Sequence, residues 1–263
     1  MSINIIIQSY NEQNIERRNE LDLCLLENLD NPYIKFIYDL TDKPKLNINS
    51  LKYKIIEHSK WITFQDAFIF ANTIPNEYFA IINTDIILDK NSRWDIAIKT
   101  FLDNMYVLAL SRHEYDINTK NSKLDPIFSQ LFHAHTQDAW LFKTPINIQN
   151  CDFEIGLLGC DNAIADRINK SGYNIINKPI QFKIYHVDNV RGKTSFNFIS
   201  KHTENTKILN KHPEELGCYL LPNYDIISTI SIDDIIKMLN LNSTEKYNLI
   251  CYIMSQKIKI KNR

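Results

Sequence analysis

Glycine is scarce in this sequence, with only 5 among 263 residues. Because glycine adopts backbone conformations that other residues avoid, its scarcity makes each position informative. The segment 8–18, which follows the first apolar run, contains no glycine, and this excludes a glycine-rich phosphate loop at that point. Three of the 5 glycines, Gly156, Gly159 and Gly172, fall close together and mark a segment with special turns.

Neither sign of charge is in excess, since 30 Lys and Arg residues face 31 Asp and Glu residues and the formal net charge is -1. Such a chain has no overall basic field that would recruit nucleic acid, so no nucleic-acid partner is expected. The basic cluster 257–263 is interpreted as a solvated tail. The hydrophobic share of 44% is ordinary for a soluble globular protein, and frequent Asn, Ile and Lys indicate an AT-rich genome, such as that of a giant virus or a bacterium.

Paired cysteines, an N-terminal leader and long apolar runs are also missing. The 5 cysteines, Cys24, Cys151, Cys160, Cys218 and Cys251, show no paired metal-binding spacing, and their odd number does not suit a disulfide framework. Together with the lack of a charged-then-apolar leader, this predicts a cytoplasmic protein, in the host cytoplasm if the source is viral. No apolar run approaches the roughly 20 residues that cross a bilayer, so no membrane span is expected.

Short apolar runs alternate with amphipathic segments through most of the chain. Strands are predicted at 3–8, 34–40, 53–57, 78–83, 106–111, 139–142, 173–176 and 180–185. Helices are predicted at 14–29, 63–73, 92–104 and 161–171, the second and third opening on capping boxes at Thr63 and Ser92 and the last ending at Gly172. The alternation predicts an α/β fold, with a mostly parallel sheet flanked by helices.

The pattern changes near residue 195. Beyond it only helices are predicted, at 198–210, 232–241 and 244–254, so we expect a domain at 1–195 and a helical C-terminal extension at 196–263 packed on it. The segment 112–135 shows no clear periodicity and is interpreted as a long connection near the functional site.

Polar side chains follow several of the predicted strands. Asn83, Thr84 and Asp85 end the strand 78–83, and in an open α/β sheet ligands collect beyond the carboxyl ends of the strands. A carboxylate there is well placed to hold a divalent cation on a phosphate-bearing substrate. The alternative is that Asn83 and Asp85 only form a turn.

Five motifs, in consistent order over about residues 1–195, carry a resemblance to a known family. They are Ser9-Tyr10-Asn11-Glu12, Asp39-Leu40-Thr41-Asp42, Asn83-Thr84-Asp85, the segment 152–162, and His186 followed by Arg191 and Lys193. They resemble the S-Y-N-E, D-x-S-x-D, Asp-x-Asp, acceptor-acid and late-histidine motifs of nucleotide-sugar glycosyltransferases of the GT-A fold, similar to family 2. The sequence departs from the family at Asn83, where the metal motif has an acid.

The resemblance implies a GT-A fold and transfer of a sugar from a UDP- or GDP-sugar to a hydroxyl of a glycan or protein. It implies nucleotide contacts at Ser9, Tyr10, Asn11, Asp39, Asn83, Thr84 and Asp85. It implies that Asp85 and His186 bind Mn²⁺ or Mg²⁺ and that Arg191 and Lys193 contact the diphosphate. It also implies a sugar and acceptor side formed by Arg112, Asp138, Trp140 and Asn162, with Asp161 as the general base.

The residue types in these motifs suit the chemistry of sugar transfer. The leaving diphosphate gathers negative charge, which a divalent cation and basic side chains stabilise. In an inverting transfer, a carboxylate removes the proton of the acceptor hydroxyl, a contribution of about 10²–10⁴-fold. Asp161 opens a predicted helix, whose N-terminus is expected to keep the carboxylate ionised.

Each assignment has a purely structural alternative. Asp161 is a possible helix cap, His186 a semi-buried histidine, Asp39 a turn residue, Asp138 a strand-edge residue and Trp140 a core residue. Arg191 and Lys193 are alternatively solvated loop charges, and His133 with His135 makes a poor zinc site because no third ligand is near.

Other functions also stay open at this point. A nucleotidyltransferase uses a similar sheet and metal, but the glycine-free segment 8–18 argues against it. A retaining glycosyltransferase on the same fold is a second alternative, since the sequence does not decide whether Asp161 or Asp138 approaches the anomeric carbon. A non-catalytic sugar- or nucleotide-binding relative is the third, and Asn83 in place of an acid favours it.

Overall fold

The computed structural model describes residues 1–43, 48–124, 137–157 and 159–190. Their helices are α1 (Ile15–Asp30), α2 (Phe64–Asn72), α3 (Trp94–Thr100), which a 3-10 turn (Leu102–Asn104) follows, and α4 (Cys160–Lys170). Their strands are β1 (Ile3–Ile7), β2 (Ile34–Leu40), β3 (Tyr53–Ile56), β4 (Tyr78–Ile82), β5 (Ile86–Leu88), β6 (Tyr106–Ser111), β7 (His113–Asp116), β8 (Asn121–Leu124), β9 (Gln137–Lys143), β10 (Asn174–Ile176) and β11 (Ile184–His186).

These strands form two sheets. The large sheet has the order β10-β6-β9-β4-β1-β2-β3, and the small sheet has the order β5-β11-β7-β8. In the large sheet β9 runs antiparallel to β4 and β6, whereas the other pairs are parallel. The prediction of a mostly parallel sheet flanked by helices is therefore confirmed.

Both faces of the large sheet are buried, which explains why its central strands are mostly apolar. On one face Ile6, Ile81 and Trp140 pack with side chains of α2 and α4. On the other face Ile5 and Leu141 pack with side chains of α3, and Leu25 and Leu29 of α1 pack against the same cluster. The functional groups are consequently left to the ends of the strands.

The two predicted capping boxes had different outcomes. The Thr63 box is confirmed, because Thr63 Oγ1 accepts from the backbone N–H of Asp66 and Asp66 Oδ2 accepts from that of Thr63. The Ser92 box is wrong, because α3 begins at Trp94 without a side-chain cap. The Ser92 hydroxyl instead donates to Asp89 at 3.1 Å and accepts from the Lys183 backbone at 3.0 Å, so it joins two loops.

Helix α1 fixes the small sheet to the large one. The side chain of Asn28 donates to the Ile86 carbonyl at 2.8 Å and accepts from the Leu88 backbone at 2.9 Å. Asn31 donates to the Leu88 carbonyl at 2.9 Å. These amides satisfy the outer edge of β5, which begins directly after the turn 83–85. The turn that carries Asp85 is thereby held where the chain passes between the sheets.

Several predicted boundaries differ from the structure. The segment 112–135 was expected to lack periodic structure, but it begins with the hairpin of β7 and β8, and residues 125–136 with His133 and His135 lie outside the described residues. The strand expected at 180–185 is shorter and later, at β11.

Some predictions concern residues that the structure does not describe, and these stay predictions. They are Arg191, Lys193, the helical extension and the boundary near 195. Within the described ranges, no helix combines the length and hydropathy that a membrane-spanning segment needs.

Candidate functional site

The loop after β1 is tied to β2 by Asp39. Asp39 is fully buried, and its carboxylate accepts from the Ser9 backbone at 2.8 Å and from the hydroxyl of Tyr53. Burial, and then the hydrogen bond to Asp39, raise the pKa of the Tyr53 hydroxyl far above its usual range. Asp39 thus holds the loop after β1 in position next to β2 and β3. Its predicted contact with the nucleotide stays a prediction.

The loop after β1 also contains one member of an aromatic pair. The rings of Tyr10 and Trp61 lie 6.0 Å apart, and Trp61 is 46% exposed. The indole N–H of Trp61 donates to the Ile155 carbonyl at 2.9 Å, while Gln8 bonds the backbone on both sides of Trp61, at Lys60 and Ile62. Sequence reasoning identified Tyr10 but missed Trp61, which lies outside every predicted element.

Asp85 is held by a buried arginine that sequence reasoning also missed. Arg17 of α1 is 1% exposed, and its guanidinium donates to Asp85 Oδ2 at 2.5 Å, to Glu20 at 2.8 Å and to the Val187 carbonyl at 2.5 Å. Residues four apart share a helix face, so the position of Arg17 one turn before Leu21 could have placed it inward. The Arg17–Asp85 pair fixes the turn after β4.

His186 lies between two carboxylates. Its Nε2 is 3.4 Å from Asp85 Oδ2, and its Nδ1 is 2.8 Å from Glu114 Oε2. Burial lowers the pKa of His186, but the hydrogen bonds to Asp85 and Glu114 outweigh it and raise the pKa to about 9. Burial raises the pKa of Glu114, yet the contacts with His186 and Arg112 lower it to about 2. Asp85 and His186, predicted from separate motifs, do come together.

A second arginine extends this chain of charges to β9. Arg112 contacts Glu114 at 2.7 Å and Asp138 Oδ2 at 3.2 Å. The other oxygen of Asp138 accepts from the side chain of Asn83 at 3.2 Å. The residues predicted for the metal side and for the acceptor side therefore form one connected network along a single edge of the fold.

Asp161 lies in the first turn of α4, after Gly159, which has a φ of +90°. Its environment differs from the sequence expectation. Burial first, and then the neighbouring charge of Asp138, raise the pKa of Asp161 well above that of an ordinary aspartate. The stabilisation that a helix N-terminus gives to the ionised form is therefore outweighed here. Asn162 follows it in the same turn and is buried.

A cavity opens between the β4 turn and α4. Asn83, Gln137, Asp138 and Asp161 supply its polar lining, and Phe64 and Trp140 form part of its apolar wall. Trp140 is 2% exposed and stacks edge-on against Phe64, so it is a core residue whose surface also faces the cavity.

The remaining predicted residues have simpler environments. Ser9, Asn83 and Thr84 line a second, more apolar cavity against α1, and Asn11 is exposed in the loop after β1. Of the residues implied by the resemblance, only Arg191 and Lys193 fall outside the part of the chain that the structure describes.

The residues at the metal side fit a divalent cation in two respects. Two neighbouring ligands of an octahedral Mg²⁺ are about 3 Å apart, close to the 3.4 Å between Asp85 Oδ2 and His186 Nε2. The second nitrogen of His186 bonds a carboxylate, as metal-ligating histidines commonly do. Among the described residues no group of three such side chains is arranged to hold a metal, so the remaining ligands would come from the diphosphate and water.

Comparison with known proteins supports the fold. No protein-family model matches the sequence, and no curated protein sequence matches it. The structure is similar to S. aureus TarS 1-349 in complex with UDP-GlcNAc, with a TM-score of 0.52 and 11% identity over 82% of this chain and 67% of that one. It is also similar to S. aureus TarS 1-349 alone, with a TM-score of 0.50 and 11% identity over 82% of this chain and 66% of that one.

A structure of GalNAc-T7 with UDP, GalNAc and Mn²⁺ is similar at a TM-score of 0.49 and 10% identity, over 80% of this chain and 48% of that one, which is too weak to support an inference. The chain spans about two thirds of the TarS fragment. At this identity the likeness establishes the fold: the described residues adopt the GT-A fold of glycosyltransferases.

Proposed function

We propose that this protein is a glycosyltransferase that moves a sugar from a nucleotide-diphosphate sugar to an acceptor hydroxyl with the help of a divalent cation. The observation that carries the proposal is the convergence of Asp85, Glu114 and His186 beside Asp138 and Asp161 at one edge of a GT-A fold. Unrelated structural roles would not require five titratable groups from separate segments to meet there.

The donor is held by the strand ends. Asp85 and His186 would bind the cation, which stabilises the charge on the leaving diphosphate when it is present. Arg17 holds Asp85 in position, and Glu114 orients the His186 ring. The exposed face of the Tyr10–Trp61 pair offers a surface on which a nucleobase can stack.

Asp161 acts as the general base in this proposal. It accepts the proton of the acceptor hydroxyl while the acceptor oxygen bonds to the anomeric carbon. The bond from that carbon to the diphosphate oxygen breaks, and its electron pair leaves with the diphosphate. A raised pKa suits this role, because the ionised carboxylate is then a stronger base than that of an ordinary aspartate. This geometry leads to inversion at the anomeric carbon.

The test is a screen of UDP- and GDP-sugars with the full-length protein, with Mn²⁺ or with EDTA. Released nucleotide and transferred sugar would be measured for the wild type, Asp85→Asn, and the control Asp95→Asn. Asparagine keeps an acceptor for Arg17 Nη2, whereas alanine would remove this partner of a buried guanidinium and leave it only its contacts with Glu20, Asp188 and the Val187 carbonyl, so Asp85→Ala is expected to be less stable than Asp85→Asn. We expect Asp85→Asn to lose the Mn²⁺-dependent release of nucleotide and transfer of sugar and Asp95→Asn, at an exposed ion pair, to keep both.

A non-catalytic binding protein is the second candidate, and two observations favour it. Asn83 replaces an acid, and the guanidinium of Arg17 already neutralises Asp85. Such a protein would bind a nucleotide-sugar without releasing nucleotide over the course of the same screen. Turnover of even one donor that Asp161→Asn abolishes would exclude this candidate.

A further inference from the structure

Gln137 stands out among the buried polar residues. It is the first residue of β9 and is fully buried, yet neither the oxygen nor the nitrogen of its side-chain amide has a hydrogen-bond partner among the described residues. Buried amides in proteins are almost always hydrogen-bonded, because an unpaired buried donor or acceptor is costly. A glutamine with both groups unpaired among the described residues is therefore able to take a ligand as its partner.

A neighbouring amide shows that the fold can satisfy such a group. Asn177 is also fully buried, and its oxygen accepts from the Ser111 backbone at 3.0 Å while its nitrogen donates to the Ser111 hydroxyl at 2.8 Å. Ser111 is the residue that pairs with Gln137 in the sheet. Two buried amides thus flank one residue, and only Gln137 lacks protein partners within the described chain.

Gln137 lines the cavity that also holds Asn83, Asp138 and Asp161. The cavity reaches the surface, since Asn83 and Asp161 are half-buried and Gly156 at its rim is exposed. Gly156 has a φ of +83°, which favours glycine, and a Cβ atom there would stand 3.8 Å from Asn83 Oδ1, so this residue and Asn83 lie side by side at the rim. A ligand that enters the cavity therefore approaches the unpaired amide.

The lining also limits the charge of such a ligand. It contains the carboxyl groups of Asp138 and Asp161, and among the described residues no Lys, Arg or His contributes to it. An anionic group would meet these two carboxyl groups, and the neighbouring cation, Arg112, is already paired with Asp138 at 3.2 Å and with Glu114 at 2.7 Å. A hydroxyl both donates and accepts hydrogen bonds, and a glutamine amide offers one acceptor and two donors that match it.

We propose that Gln137 is a specificity-determining residue that hydrogen-bonds a hydroxyl of the donor sugar, and that this cavity selects neutral sugars over uronic acids. The inference rests on the proposed function. The donor sugar is the ligand because Asn83, in the turn that also carries Asp85, forms the opposite wall of the cavity.

The first experiment compares Gln137→Met, which keeps the side-chain length, with Gln149→Met at an exposed glutamine. Titration calorimetry would measure, for each protein, how much tighter a UDP-sugar binds than UDP alone, using UDP-glucose, UDP-galactose, UDP-GlcNAc and UDP-glucuronic acid. We expect Gln137→Met to lose about 3- to 10-fold of this gain for the preferred neutral sugar and to leave the affinity for UDP unchanged. The Gln149→Met variant should match the wild type.

The outcomes separate the inference from the proposed function. If the wild type binds UDP but Gln137→Met keeps the whole gain for every sugar, or if UDP-glucuronic acid binds best, the inference is overturned and the proposed function stands. If the wild type binds no nucleotide or nucleotide-sugar at all, including GDP and GDP-mannose, the proposed function and the sugar assignment fail together.

Thermal unfolding without ligand tests the unpaired amide directly. Gln137→Met removes two unpaired buried groups and should raise the Tm by about 2–4 °C, whereas Asn177→Leu removes a satisfied amide and should lower it. A clear fall of the Tm for Gln137→Met would mean that the amide has partners in the free protein, and it would overturn the inference independently of any nucleotide.

Discussion

The two ends of the candidate site are built in opposite ways. At the end formed by the small sheet, Arg17, Asp85, His186 and Glu114 face one another as alternating charges at distances from 2.5 to 3.4 Å. At the end formed by β9 and α4, the Gln137 amide is unpaired within the described chain and the pKa of Asp161 is raised. The first end is held together by ion pairs, whereas the second contains a buried amide without a partner among the described residues.

This difference separates two contributions to function. Paired charges hold each other in fixed positions, which suits a surface that must present the same geometry to every donor. Unpaired or strained groups make the free protein less stable but interact more strongly with an arriving ligand. Substitutions at the first end should therefore damage the fold, while substitutions at the second should damage function and spare or improve stability.

The largest effect is expected for Arg17→Met. The change leaves Asp85, Glu20 and Asp188 without their common cation in a buried region, and breaking a buried ion pair in this way costs about 3–5 kcal/mol of unfolding free energy. Chemical denaturation would measure it. The neighbouring Arg18, which contacts only the Glu12 carbonyl among the hydrogen bonds described, provides the control, and Arg18→Met should cost less than about 1 kcal/mol. Equal losses in both variants would contradict the paired-charge interpretation.

Asp161→Asn should have the next largest effect, and it should affect turnover rather than folding. Removing the base while keeping its shape should lower kcat by at least about 10²-fold with little change in donor affinity. Steady-state kinetics on the best donor from the screen would measure this. Near-normal turnover, or a product that keeps the anomeric configuration of the donor, would rule out Asp161 as the base of an inverting transfer.

The same variant carries a pH prediction. Because the pKa of Asp161 is raised in the folded protein, the contribution of its protonated carboxyl to stability is present at low pH and is lost as the pH rises through the folded pKa. Asp161→Asn should therefore gain stability relative to the wild type as the pH rises, and wild-type kcat should fall on acidification at a pH well above 4. Chemical denaturation at several pH values would measure the unfolding free energy of the wild type and of Asp161→Asn. A difference between the two proteins that does not change with pH would contradict the raised pKa.

Glu114→Gln should weaken metal binding by about 10–100-fold, because Glu114 accepts the hydrogen bond that orients the His186 ring. Titration of Mn²⁺ in the presence of UDP, followed by electron paramagnetic resonance, would measure the affinity without turnover. The matched variant Glu16→Gln changes an exposed acid in the first turn of α1 and should bind Mn²⁺ like the wild type. An unchanged affinity in Glu114→Gln would separate His186 from the metal.

The smallest effect is expected for Trp61→Ala. Loss of one face of the aromatic pair should weaken UDP binding by about 3- to 10-fold, the scale of one aromatic stacking contact. Calorimetry would measure the affinity for UDP, because fluorescence quenching would depend on the tryptophan that this variant lacks. Ile69→Ala removes an exposed apolar side chain on α2 and is the control. Equal affinities in all three proteins would place the nucleobase elsewhere.

The sequence predicted the fold well where apolar runs are continuous. β6 matches its predicted range because a strand buried on both faces shows an almost continuous apolar run, and β2 matches its range although Lys35 and Asp39 interrupt its apolar residues. β7 and β8 were missed because they are four residues long and largely polar. The Ser92 capping box failed because its hydroxyl bonds Asp89 and the Lys183 backbone, and the contact with Lys183, which is distant in sequence, leaves no local signal.

The candidate site was predicted only in part, because only some of its residues leave a local signal in the sequence. Asp85, His186 and Asp161 follow apolar runs or a glycine cluster, so their positions are visible in the sequence. Glu114 and Gln137 are recognised only by what they contact or fail to contact in three dimensions, whereas the helical position of Arg17 indicates that it points inward but does not identify its partner Asp85. The raised pKa of Asp161 could not be anticipated either, because it depends first on burial and then on Asp138, which lies in β9 and not in α4.

The division into two sheets has a consequence for how the site can change over evolution. Asp85, Glu114 and His186 all belong to the small sheet or to the turn that leads into it, whereas Gln137 and Asp138 begin a strand of the large sheet. Asn28 and Asn31 set how the small sheet is mounted. Substitutions at these two amides would alter the gap between the leaving-group side and the sugar side without altering either set of chemical groups. If the protein is the proposed glycosyltransferase, substitutions at these amides would change the size of the sugar that it transfers and would leave the chemistry of the transfer unchanged.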